Sequence, residues 1–248
     1  MTAPRVVVLG ATSAIAEATA RLYAAEGAHI LLAGRRGDRL EAIAADLTAR
    51  GAAACHTRAL DLADPGDVMA RLGEMAEALG GVDYVLLAYG VLGEQGAAEQ
   101  DPARARSIIQ VNFSSAAEWA LAAAALLERQ RRGTLVALSS VAGDRGRKTN
   151  YVYGAAKGGL TVLMQGIAHR LAACGARAVV LKAGFVDTPM TDAFDKRGPL
   201  WAKPERIARI ARRAADRGGP VVYAPAFWYW IMLVLRLLPS AIFHRLSI

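Results

Sequence analysis

Cysteine is scarce: Cys55 and Cys174 are the only two in 248 residues, both in apolar company. Two distant thiols cannot staple a small fold, and no metal-ligand spacing accompanies them, so reduced structural cysteines are expected. The four histidines, His29, His56, His169 and His244, are dispersed. Beyond the adjacent Cys55 and His56, nothing resembles half a metal site, and no metal is expected. Aromatic residues amount to 6% and are not interleaved with the arginines. The excess of 30 Lys and Arg over 22 Asp and Glu therefore lacks the stacking platforms of a nucleic-acid surface, and nucleic acid is not an expected partner. No apolar run reaches the ~20 residues that a membrane-spanning helix needs. Residues 1–10 pass straight into a strand-like run, so no secretory leader is expected there, and the chain reads as cytoplasmic. Linker-like stretches are also missing, which argues for one domain.

What is present is a series of short apolar runs alternating with segments of helical periodicity, the pattern of an α/β protein built on a doubly wound parallel sheet. Strands are expected at 5–9, 28–33, 52–60, 83–88, 134–139, 176–182 and 220–224. Long helices are expected over 101–131 and 151–174, and a shorter one near Pro65 with Asp64 as its N-cap. The stretch 191–203 reads as irregular, a candidate lid.

The chemistry concentrates in 139–157, SSVAGDRGRKTNYVYGAAK. Tyr153 and Lys157 are four residues apart and share one face of a helix. Ser140 closes an apolar run, and open α/β sheets carry their sites at the carboxyl ends of strands. A phenol there can protonate a ketone oxygen as hydride reaches the carbon; its ordinary pKa of about 10 is lowered by a neighbouring ammonium. The serine hydroxyl holds the carbonyl oxygen. Ser139 is the nearest alternative to Ser140. Tyr151 has Ala155 four residues on and so lacks a lysine partner.

This Ser, Tyr-x-x-x-Lys arrangement resembles the short-chain dehydrogenase/reductase family. The resemblance implies a Rossmann-like fold, a nicotinamide dinucleotide cofactor and a catalytic set of Ser140, Tyr153, Lys157 and Asn112, the last holding a water that links the lysine to solvent. It favours Ser140 over Ser139, because the family places its serine directly before the V-A-G turn. It implies cofactor contacts at Gly10, Thr12, Ser13 and Ile15, where strand, turn and helix N-terminus hold a pyrophosphate. Further contacts are implied at Asp61 and Leu62 beside the adenine, at Ala88 and Gly90, at Tyr153 and Lys157, and at Gly184, Val186 and Thr188. The family's TGxxxGxG keeps only Gly10 here, with Ala14 and Ala16 at the other glycine positions. Its N-A-G reads Ala88-Tyr89-Gly90, and Tyr89 is expected to reshape the nicotinamide-ribose edge. Its P-G-x-V-x-T begins with Ala183. After the second strand no acidic residue waits for a ribose hydroxyl; Arg35 and Arg36 stand there instead and favour NADP(H), with NAD(H) the alternative.

Residues 225–248 differ from the domain of 1–224 that precedes them. Four consecutive aromatics, Phe227 to Trp230, lead into an apolar run followed by Arg236, His244 and Arg245. Such a segment suits an interfacial helix at a membrane surface, or equally a helix packed on its own core or on a subunit partner. With YGVLGE at 89–94 and the stretch 139–154, the tail resembles the decaprenylphosphoryl-2-keto-ribose reductases. That resemblance implies a keto sugar on a polyprenyl phosphate as substrate, at the inner face of the cell membrane. Arg145, Arg147 and Lys148 beside the catalytic turn suit its charge, although a charge run of this kind is more often a solvated loop. That subfamily is NADH-linked, whereas Arg35 and Arg36 argue for NADPH. A long-chain 3-ketoacyl or 3-ketosphinganine-type reductase is the alternative enzyme, and a sensor or scaffold that binds NADP(H) without turnover is the alternative of another class. The family also implies a homodimer or homotetramer, with the alanine-rich stretch 116–125 available for close helix packing.

Overall fold

The computed structural model describes residues 3–246. Seven strands make the central sheet: β1 (Arg5–Leu9), β2 (His29–Gly34), β3 (Ala54–Ala59), β4 (Tyr84–Leu87), β5 (Thr134–Ser140), β6 (Arg177–Ala183) and β9 (Val221–Ala224). Runs such as RVVVL, HILLAG and RAVVLKA are apolar at successive positions, and this suits a sheet covered on both faces. All pairs are parallel in the order β3-β2-β1-β4-β5-β6-β9. The chain therefore winds outward from β1 in one direction and from β4 in the other. The reversal between them opens a crevice at the strands' carboxyl ends.

The side-chain period of two sends alternate residues to opposite faces. Val6, Val8, Ile30, Leu32, Val136 and Leu181 form one core with α1 (Ala14–Ala25), α2 (Gly37–Ala49) and α8 (Pro204–Arg217). Val7, Leu9, Leu31, Val85, Leu135 and Val180 form the other with α3 (Val68–Ala78), α6 (Ser115–Gln130) and α7 (Tyr151–Leu171). Trp119 on α6 is fully enclosed there and donates its indole N–H to Leu62 O at 3.2 Å.

Several expectations need correction. The helix after Pro65 starts later, at Val68, and its cap is Asp67, whose carboxylate accepts from the amides of Met69 and Ala70, both at 3.0 Å; Asp64 lies outside it. The long helix expected over 101–131 is broken by a π-helical turn, Gln110–Ser114, between α5 (Pro102–Ile109) and α6. That turn carries Asn112, and no periodicity in the sequence announces it. The lid segment is partly tied down: β7 (Phe185–Val186) pairs with β8 (Trp201–Ala202), and Lys196 reaches Asp192 at 2.6 Å, Asp187, and Thr188 O at 3.3 Å. Ala116, Ala120, Ala122, Ala123 and Ala124 are buried in the protein's own core, so they leave no alanine seam for a partner.

The C-terminal segment contains α9 (Phe227–Leu237) and the short α10 (Ser240–Phe243). Trp228 and Met232 of α9 are buried against Val141, while Trp230, Val234 and Leu237 point outward, exposed by 66%, 61% and 74%. Among the described residues no helix is long and apolar enough to cross a membrane.

Candidate active site

A cleft of about 760 Å³ runs across the carboxyl edge of the sheet. One end is built by the turn from β1 to α1. Gly10 has φ +90°, a conformation that a side chain resists, and this bends the chain so that α1 points its N-terminus into the cleft. The first amides of α1 have no partner within the helix, and Ser13 does not cap them with its side chain. Ala14 and Ala16 lie in the first turn of α1, so the two missing glycines leave no residue there with positive φ. Thr12, Ser13 and Ile15 line this end, as do Gly34 and Arg35 from the end of β2. Arg35 is exposed and forms no ion pair among the described residues. Arg36 is exposed too but does not line the cleft. Asp61 and Leu62 follow on the same wall; the Asp61 carboxylate accepts from the Ala63 amide at 2.9 Å.

The middle of the cleft holds Ala88, Gly90, Ser140, Tyr153 and Lys157. Ser139 and Ser140 separate cleanly. Ser139 is buried, donating to Lys157 O at 2.9 Å and sharing a 2.9 Å hydrogen bond with Thr161, so its hydroxyl ties β5 to α7. Ser140 Oγ accepts from the Ala142 amide at 3.1 Å and faces the cleft beside Tyr153. Tyr153 and Lys157 lie one helical turn apart on the same side of α7, with Lys157 Nζ 5.9 Å from the Tyr153 ring centre. Lys157 is 4% exposed and donates to Leu138 O at 3.2 Å. Burial sets both proton affinities. It pushes the Tyr153 phenol up to about 12, partly opposed by the Ser140 hydroxyl, and pushes the Lys157 ammonium down to about 8. The expected lowering of the phenol by the amine is therefore outweighed in the protein alone: both groups sit on a dry floor, and the amine's hydrogen bond goes to a backbone carbonyl.

Asn112 is fully buried and does not line the cleft. Its amide nitrogen donates to Val91 O at 2.7 Å and Ile108 O at 2.9 Å, and its Oδ1 accepts from Val91 N at 3.2 Å. The amide thus clamps the irregular segment that follows Gly90. A Cβ at Gly90 would stand 2.6 Å from Asn112 Oδ1 and 3.2 Å from Lys157 Nζ, so only glycine lets this backbone pass over the lysine. Tyr89 lines the cleft, but its hydroxyl is turned into the core. Its hydroxyl shares a 3.0 Å hydrogen bond with Ser115 and donates to Leu62 O at 3.4 Å, so the ring fills the core behind Gly10.

The far end is walled by Gly184, Val186 and Thr188, by Phe185 and Trp201, and by Met190 and Phe194 of the lid. A side chain at Gly184 would collide with the Trp228 indole, whose Nε1 would lie 1.8 Å from the new Cβ. The aromatic run that suggests a lipid surface therefore supplies one residue to this wall, and Trp228 meets Phe185 edge-on at 4.9 Å. Asn150 and Met190 are not expected at the site from the sequence; Trp228 reads there only as one of the aromatic run 227–230 and Phe194 only as part of the lid 191–203, while Asn150, directly before the Tyr151 helix start, has a positional signal. Among the described residues no three His, Cys, Asp or Glu side chains are placed to share a metal.

A parallel sheet with this strand order, a helix N-terminus aimed at its crevice, and a tyrosine and a lysine over a strand-end serine define a class of protein that binds a nicotinamide dinucleotide and transfers hydride. A dinucleotide fits the cleft: Gly10 and the α1 amides suit the pyrophosphate, and the bare Gly90 backbone leaves room beside Lys157. The short chain dehydrogenase family profile matches residues 4–198, most of the chain, and the protein belongs to that family. It is an NAD(P)-dependent oxidoreductase acting on CH–OH and C=O groups. It is 39% identical to an uncharacterized oxidoreductase of Streptomyces coelicolor over 98% of this chain and 95% of that one. An uncharacterized oxidoreductase of Mycobacterium tuberculosis is 40% identical, over 97% and 96% of the two chains. A solved short chain dehydrogenase/reductase family protein superposes with a TM-score of 0.76 at 28% identity, covering 89% of this chain and 95% of its own.

Proposed function

We propose that this protein uses NADPH to reduce a ketone attached to a large apolar group, with the keto sugar of a polyprenyl phosphate as the leading candidate. The observation that carries the reaction is the convergence of Ser140, Tyr153 and Lys157 in the middle of the cleft. When bound, the nicotinamide supplies the hydride. Ser140 donates a hydrogen bond to the substrate's carbonyl oxygen and fixes it beside Tyr153. Tyr153, held protonated to about 12 by burial, is an acid at neutral pH and gives its proton to that oxygen. Lys157 stabilises the phenolate left behind, and Asn112 positions the Gly90–Val91 backbone over the lysine. The water relay through Asn112 belongs to the same reading.

Arg35, free at the end of β2, supports the 2′-phosphate of NADPH. The apolar lid residues Met190 and Phe194, with Trp201, support an apolar substrate, and the outward stripe of Trp230, Val234 and Leu237 supports contact with a membrane surface that holds it. The same lid suits a long-chain 3-ketoacyl substrate. Leu121 and Val162, exposed on the outer faces of α6 and α7, support self-association. Tyr153→Phe tests the reaction: turnover with NADPH is lost by at least ~10³-fold while cofactor affinity, followed by nucleotide fluorescence, stays within about twofold. Undiminished turnover in that variant would end the assignment; cofactor binding without ketone-dependent oxidation in the native protein would favour the sensor.

A further inference from the structure

The three cations at 145–148 have different surroundings. Arg145 is consumed by the C-terminal segment: its guanidinium donates to Leu235 O, to Leu238 O at 2.7 Å, and lies 3.8 Å above the Phe243 ring. Lys148 is exposed. Arg147 is neither. It lines the catalytic cleft on one side and, on the other, a groove of about 430 Å³ formed with Lys148, Tyr151, Phe243, His244 and Leu246. Its Nε is buried and has no hydrogen-bond partner among the described residues. Burial pulls its proton affinity down, and no carboxylate among the described residues restores it.

The acids that could neutralise Arg147 are engaged elsewhere. Asp144, three residues before it, is buried between Lys182 and the Tyr223 hydroxyl, which donates to it at 2.6 Å. Asp195, on the cleft wall, is paired with Arg197 at 2.6 Å, and Asp61 accepts from its own turn. A second group unpartnered among the described residues lies on the same loop: Asn150 Oδ1 is buried, and it belongs to a residue that lines the cleft. A half-buried guanidinium and a bare amide carbonyl are costly to leave unmatched. Both stand on the loop that joins Ser140 to Tyr153, and together they ask for an oxyanion next to a hydroxyl donor.

We propose that Arg147 holds a phosphate group of the substrate where the cleft opens into the groove beside the C-terminal segment, with Asn150 accepting from an adjacent substrate hydroxyl. This deepens the reductase reading and rests on it, because the phosphate then lies to one side of the carbonyl that Ser140 and Tyr153 address. The phosphate has two chemical sources, a soluble phosphate ester or a lipid phosphate whose chain follows Tyr151, Phe243 and Leu246.

The test is calorimetric titration of the full chain, saturated with NADP⁺, using inorganic phosphate and octyl phosphate as probes. The native protein is expected to bind both saturably. Arg147→Leu should weaken both by ~10- to 100-fold, the loss of one charge-assisted contact, and Arg147→Lys should recover part of it. Octyl phosphate binding at least ~10-fold tighter than inorganic phosphate assigns the lipid source, and equal binding assigns the soluble one. Two results overturn the proposal: no saturable phosphate binding by the native protein, or equal binding by Arg147→Leu. A parallel titration with NADPH guards against misfolding and misassignment; weakened cofactor binding in Arg147→Leu would place the contact on the cofactor and also overturn it. Tyr153→Phe separates the two layers: surviving turnover would remove the Ser140–Tyr153–Lys157 assignment, whereas the phosphate titration of that same variant still decides the Arg147 contact.

Discussion

Lys157→Met should stabilise the protein while removing its activity. The lysine gives up its proton at about 8 in the fold against an ordinary 10.5, because burial disfavours the charge. At ~1.36 kcal/mol per decade of proton affinity, holding it charged at neutral pH costs the folded state ~3 kcal/mol. Methionine fills a similar volume without charge. It forfeits one hydrogen bond, Nζ to Leu138 O at 3.2 Å, worth about 1 kcal/mol, but Leu138 keeps its place in the ladder against β6. The net gain is ~1–3 kcal/mol at pH 7, read by urea denaturation without cofactor. The sign of the pH dependence is fixed. Between pH 8 and 10 the unfolded lysine binds a proton that the folded one has released, so native stability rises with pH and the difference from Lys157→Met shrinks. Tyr153 acts oppositely only above pH 10, where the unfolded phenol ionises first. A Lys157→Met protein less stable than the native one at pH 7, by an amount independent of pH up to 9.5, would refute the reasoning.

The remaining predictions concern the walls of the cleft. Gly90→Ala forces a methyl to within 2.6 Å of Asn112 Oδ1; a stability loss of ~1–3 kcal/mol and a fall in kcat of ~10-fold or more are expected from melts and steady-state kinetics. Arg35→Asp should weaken NADPH by ~10- to 100-fold and favour NADH, as measured by the ratio of kcat/KM values for the two cofactors. Trp230→Ser with Val234→Ser and Leu237→Ser removes the outward stripe without touching Trp228 or Met232. It should abolish flotation with anionic liposomes and leave the melting temperature within ~3 °C, whereas equal flotation would sink the membrane reading. Truncation before Pro225 is a poorer test, because it would strip Trp228 from Gly184 and so damage the site itself.

The sheet was legible because its strands are short apolar runs with few competing readings, and misses there amount to a residue or two at the ends. The site was legible where it depends on local order: Tyr153 and Lys157 share a helix face by spacing alone, and Ser140 ends its strand by position. It was not legible where tertiary contact decides. Asn112 reads as a residue of an unbroken helix, yet a π-helical turn and the Val91 backbone determine its partners. Tyr89 reads as a cofactor neighbour by alignment with N-A-G and does line the cleft, yet Ser115, 26 residues away, takes its hydroxyl into the core. Trp228 reads as one of four similar aromatics; only the fold shows that it alone meets a glycine on the cleft wall.

The net charge of +8 acquires a meaning that composition could not give it. Many arginines are paired with acids: Arg5 with Asp83, Arg21 with Glu17 and Asp46, Arg170 with Glu128, Arg212 with Glu26 and Asp216, so the surplus resides in the others. Scattered pairs of this kind contribute little individually and attract nothing in particular. Two guanidiniums escape that pairing and still line the catalytic cleft, Arg35 and Arg147. They project from different loops, one after β2 and the other between β5 and α7, while Ser140, Tyr153 and Lys157 occupy the floor. Neutral carbonyl chemistry needs neither arginine. On the proposed reading the cleft receives two anions with the reacting carbonyl as a third, separate point of attachment: the cofactor's ribose phosphate at Arg35 and the substrate's own phosphate at Arg147. A chain selected only for hydride transfer to an uncharged ketone would have no reason to leave Arg147 half-buried without a carboxylate.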